Sequence, residues 1–104
     1  MKWLEIIKLR SAGNGDGLRA ELLRFIAEVD QEGGSVSIKA FRHAALESDL
    51  SVHLRWESDG PDQHGSALGL RLVQSLKEFG LIDHSVWIEE EKSVLEKKEG
   101  MYHV

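Results

Sequence analysis

Apolar and polar side chains alternate along four stretches of the chain and recur at helical spacing along two more. KWLEIIKLR, residues 2–10, is rich in β-branched and aromatic residues. Both of its parities are apolar: Leu4 and Ile6 on one, Trp3, Ile7 and Leu9 on the other. A strand of that kind is buried on both faces. SAGNGDG, residues 11–17, reads as a loop whose Asn14 or Asp16 caps the helix that follows. Over residues 18–30, Leu18, Leu22, Phe25, Ile26 and Val29 form one helical stripe, with Arg19, Glu21, Arg24 and Glu28 away from it. Gly33 and Gly34 end the segment.

Residues 35–44, SVSIKAFRHA, alternate again, and so do residues 51–58, SVHLRWES. The short link ALESD between them predicts an antiparallel hairpin. With Ser48 near its apex, His43 lies near His53, Phe41 near Arg55 and Lys39 near Glu57. Residues 59–65, DGPDQHG, hold the single proline and read as loop. Ser66 is placed to cap a second helix over residues 67–79, with Leu68, Leu72, Val73, Leu76 and Phe79 as its stripe and Gly80 just past its end. IDHSVWIE, residues 82–89, alternates once more.

The order is β-α-β-β-α-β, the split βαβ or ferredoxin-like pattern of the α+β class. Right-handed crossovers place both helices on one face of a four-stranded antiparallel sheet, with the first and third strands central. Residues 1–90 form this domain, and residues 91–104 form a charged C-terminal tail, expected as a fraying end or a short helix.

Side-chain parity sorts the two faces of the sheet. Val36, Ile38, Val52, Leu54, Trp56, Val86 and Ile88 are expected under the helices. The opposite face collects Phe41, Trp87 and one parity of the first strand, with Trp3 or Ile7 adding to an apolar patch. It also takes Lys39, His43, His53, Arg55, Glu57 and Glu89. An apolar patch of that size is one monomers avoid, and burying each aromatic is worth roughly 1.5–3 kcal/mol. A two-fold homodimer packed sheet against sheet is the simple solution. His53 and Arg55 then sit in or beside the interface, either pairing with neighbouring side chains or lining a cavity between subunits.

Composition narrows the chemistry. One domain suits 104 residues. With no cysteine, disulfides and thiolate chemistry are excluded. The net charge of −5 opposes phosphate-backbone binding, so no nucleic acid is expected. No apolar run approaches the roughly 20 residues of a membrane span, and MKWLEIIKLR is too short and charged for a secretion signal. No membrane partner and a cytoplasmic location are the expectations. None of His43, His53, His64, His84 and His103 shows a zinc spacing, so no metal is expected. SAGNGDG lacks the Walker and dinucleotide signatures. Ser85 and His84 are adjacent and so face opposite sides of a strand, and no nucleophile elbow is present.

The element pattern over residues 2–89 resembles the dimeric α+β barrel superfamily, which includes antibiotic-biosynthesis-type monooxygenases and haem-degrading proteins. The resemblance implies two sheets packed into a barrel and a ligand cleft between sheet and helices. Haem-degrading members use an Asn on the first strand, a Trp on the third and a His on the second helix. Trp56 matches the Trp; the first strand has no Asn and the second helix no His, with His64 just before it. No cofactor is expected. A helix-side cleft would be lined by Trp56, Leu72, Leu76, Phe25 and Leu22, positions that also suit a plain core.

Three classes stay open on these grounds. One is a small-molecule-binding or cofactor-independent, monooxygenase-like protein, with His53, Arg55 and Trp56 as the candidate catalytic or binding residues. The others are a regulatory module and a protein-interaction module. Whether any reaction is catalysed is open.

Overall fold

The computed structural model describes residues 1–13, 15–32, 34, 36–61, 63–92 and 95. Strand β1 spans Lys2–Ser11, helix α1 Gly15–Glu32, β2 Val36–Arg42, β3 Asp49–Glu57, helix α2 Ala67–Leu76 and β4 Gly80–Ile88. A 3₁₀ turn over Lys77–Phe79 joins α2 to β4. The sheet is antiparallel in the order β2-β3-β1-β4, with β1 and β3 central. This is the ferredoxin-like α+β fold that the pattern of elements predicts.

One core joins both helices to one sheet face. Leu18, Leu22, Phe25 and Val29 of α1 and Leu72 and Leu76 of α2 are buried against Ile7, Leu9, Val52 and Leu54. The helical spacing of the first set and the two-residue spacing of the second bring both stripes to the same layer. Ser66 caps α2, its hydroxyl accepting the Gly69 N–H at 2.9 Å. For α1, Asn14 and Gly33 lie outside the described residues, and Asp16 falls inside the helix rather than before it.

Two expectations are corrected. The β2–β3 register pairs Lys39 with His53, Phe41 with Ser51 and Ser37 with Arg55, so Lys39 does not oppose Glu57. The turn centres on Leu46, two residues before the expected apex. His43 leaves the strand and organises that turn, its Nδ1 accepting the N–H groups of Ala45 and Leu46 at 3.0 and 3.1 Å. The His43 N–H in turn donates to the Asp49 carbonyl. The shift is by an even number of residues, so every side chain keeps its face. The second correction concerns β1: Trp3 and Ile7 are in the core, and Leu4 and Ile6 are the apolar side chains on the open face.

Candidate functional site

The strand registers arrange the open face in rows that run across the sheet. Ser37, Arg55, Leu4 and Trp87 make one row, in the order β2-β3-β1-β4. The next holds Lys39, His53, Ile6 and Ser85, and the third holds Phe41, Ser51, Lys8 and Asp83. A hollow of about 870 Å³ lies over this face, bordered by Leu4, Lys39, Phe41, His53, Arg55 and Trp87. The end row Val36, Trp56, Trp3 and Ile88 also borders it. A second hollow of about 550 Å³ continues along the face past Phe41 to Lys8, Leu81 and Asp83. Volumes of this order suit a small organic ligand.

His53 is held at the floor of the larger hollow. Its Nε2 lies 3.0 Å from Ser51 Oγ, and its ring meets Phe41 at 4.7 Å between centroids. Burial, helped by the positive charge of Lys8, pushes its pKa below the ordinary 6.5. The imidazole is therefore neutral at pH 7, able to accept or donate a hydrogen bond but carrying no charge. Arg55 is exposed beside it. Further along β1, Arg10 makes a two-bond contact with Asp49 at 3.2 Å for each bond, and the guanidinium holds that carboxyl below its usual range.

Trp56 faces the other way. Its indole lies against the Trp3 ring, with centroids 5.3 Å apart and planes 12° from parallel. Trp3 Nε1 donates to Ser58 Oγ at 2.8 Å, and Trp56 Nε1 donates to Glu5 Oε1 at 3.0 Å. Glu5 is fully buried in a row otherwise made of Ile38, Leu54 and Val86. Its Oε1 also accepts the Ser66 N–H at 3.0 Å, and His84 Nε2 lies 2.9 Å from its Oε2. Two glycines give this carboxylate and imidazole their room. A Cβ at Gly69 would collide with Glu5 Oε2, and one at Gly65 (φ +95°) would collide with the His84 ring. The cluster thus ties β1, β3, β4 and the start of α2 to one buried side chain.

Of the three sequence candidates, His53 and Arg55 are neighbours on the open face, and Trp56 lies on the helix side in the Glu5 cluster. The positions that would line a helix-side cleft are packed: Leu22, Phe25, Leu72 and Leu76 are buried in the core, with Trp56 against it. His84 and Ser85 point to opposite faces, beside Ile7 and Ile6 respectively. Among the described residues, no three His, Asp or Glu side chains gather as a metal site, and no helix is long and apolar enough to cross a membrane. Sequence reasoning did not reach Glu5, and it weighed His84 only as a zinc ligand and beside Ser85. The available signal was a lone Glu in the parity of Trp3, Ile7 and Leu9.

No family model matches the chain, and no curated protein matches it. Among solved structures it is similar to Rv0793 from Mycobacterium tuberculosis. The two share 20% sequence identity and superpose with a TM-score of 0.62 over 88% of this chain and 98% of the other. The likeness is one of fold.

Proposed function

We propose that the chain acts as a homodimer of the α+β barrel kind, in which two open sheet faces enclose a small-molecule site. The observation that carries this reading is the open face itself. A hollow of about 870 Å³ is bordered by Phe41 and Trp87, which are 47% and 57% exposed in the single chain. Large apolar side chains grouped on a hollow face are surface that association removes from water.

Charge favours a second copy as the occupant. The β2–β3 side of the face carries Lys39 and Arg55, and the β4 edge carries Asp83 and, just past its end, Glu89. With the two-fold axis between the faces and parallel to the strands, the β2 edge of each copy faces the β4 edge of the other, so each acidic edge lies toward a basic one. The ligand then lies between the two sheets, against His53 and Arg55. Trp56, on the helix side, supports the sheet from behind.

A cofactor-independent, monooxygenase-like reaction is the second reading. The neutral imidazole of His53 favours it, because a ring without its second proton can take one from a bound substrate. Light scattering on the purified chain tests the assembly, with twice the chain mass expected and a stable monomer at micromolar concentration overturning it. Ligand-induced thermal stabilisation without turnover assigns binding; turnover that is lost in His53→Gln assigns the reaction.

A further inference from the structure

The registers divide the hollow into two chemically different halves. On the β2–β3 side, Lys39 lies opposite His53, and Arg55 is one step along the same face. Lys39 and Arg55 are diagonal neighbours, about 7–8 Å apart at the backbone, close enough for both flexible side chains to meet one group. Neither has an ion-pair partner within 4 Å among the described residues. His53 between them adds no charge at neutral pH. The acidic side chains that border the hollow, Glu57 and Glu89, flank Lys2 in the outermost row of the open face, so the lining carries three cations to two carboxylates. A local excess of positive charge thus persists in a chain whose net charge is −5.

On the β1–β4 side of the same rows stand Leu4, Ile6 and Trp87. From Arg55 to Trp87 is two strand spacings, about 10 Å. The floor is therefore cationic on one side and apolar on the other.

We propose that the ligand of this site is an amphipathic organic anion, its carboxylate or similar headgroup held by Lys39 and Arg55 and its apolar body laid over Leu4, Ile6 and Trp87. This rests on the reading of the open face as an enclosed small-molecule site. Paired charge-assisted hydrogen bonds hold the headgroup. A neutral or cationic molecule of the same shape forgoes those charge-assisted bonds.

Calorimetric titration of the full chain with decanoate, decanol and decyltrimethylammonium, each below its micelle concentration, tests the proposal. Decanoate is expected to bind at least about tenfold more tightly than decanol, and the ammonium more weakly than either. Lys39→Gln with Arg55→Gln should bring decanoate down to the affinity of decanol measured on the same variant, whereas Arg55→Lys keeps most of the preference. Should the double variant fail to fold, Lys39→Gln alone carries the same comparison with a smaller loss. Equal binding of decanoate and decanol, tighter binding of the ammonium, or an unaltered preference in the charge-removing variants overturns the assignment. Light scattering on the same samples separates the two levels. A dimer that prefers decanol defeats the anion assignment alone; a monomer that binds none of the three defeats the enclosed site as well.

Discussion

Trp56 on β3 donates its indole N–H to Glu5 Oε1 on β1, at 3.0 Å, inside the core between sheet and α2. With Ser66 and His84 as its other partners, Glu5 leaves no buried side-chain nitrogen or oxygen unsatisfied among the described residues. A buried carboxylate is costly alone and stabilising once its partners are in place.

Removing that acceptor should unfold the domain readily. In Glu5→Ala the donors of Trp56 and Ser66 lose their partner and a cavity opens, and His84 loses its contact. The expected loss is about 3–5 kcal/mol, a large part of the stability of a small domain. Urea unfolding followed by tryptophan fluorescence measures it. A loss under about 1 kcal/mol would mean the cluster is dispensable.

Gly69→Ala should run against helix propensity. In an exposed helix the exchange gains about 1 kcal/mol. Here the new methyl meets Glu5 Oε2, so destabilisation of about 1–3 kcal/mol is expected. A raised Tm in the alanine variant would show that Glu5 moves aside at little cost.

Acid should weaken the fold through His53. Its folded pKa lies below 6.5, so between those two values the unfolded chain binds a proton that the folded chain refuses. Stability is therefore unaffected by this group above pH 6.5 and falls as pH drops below it. Burial opposes protonation most and the positive charge of Lys8 adds to it, with Lys39 on the adjoining strand and Arg55 on the same strand as the other charged groups beside the ring. In His53→Gln this component of the slope should vanish. Chemical denaturation at a series of pH values between about 5 and 8 checks the sign, and a fold that gains stability on acidification through this window would contradict it. Asp49 adds a separate, lower window. Its depressed pKa stabilises the fold above the ordinary carboxylate range, and this is lost as pH falls through the folded value.

Trp87→Glu should separate assembly from folding. The side chain is 57% exposed and touches the open face, with its N–H donating to Ser85 Oγ at 2.8 Å. A carboxylate there places a charge in the proposed dimer contact and leaves the helix-side core untouched. A monomer by light scattering with an unchanged far-UV spectrum is expected. An intact dimer would move the contact away from β4.

Parity is what made the open face legible. His53 and Arg55 share a parity with each other and oppose Val52, Leu54 and Trp56, and strand geometry makes that division obligatory. The β2–β3 register was not legible, because shifting the apex by two residues preserves every face. The backbone pairing of β2 with β3, with the Ala45 and Leu46 N–H groups donating to His43 Nδ1 in the turn, decides between the two placements. For β1, both parities are apolar, so composition gave no reason to prefer Trp3 and Ile7 over Leu4 and Ile6 for the core.

By itself the sequence determined the order of elements, the stripe of each helix and the two faces of β2, β3 and β4. All of these follow from side-chain periodicity along one segment. The tertiary structure alone decided which side of β1 is buried and that Glu5 meets Trp56, Ser66 and His84. It also set Lys39 and Arg55 as neighbours across β2 and β3. Those relations join residues up to 79 positions apart. They depend on interstrand register and on the docking of α2, which local periodicity does not encode.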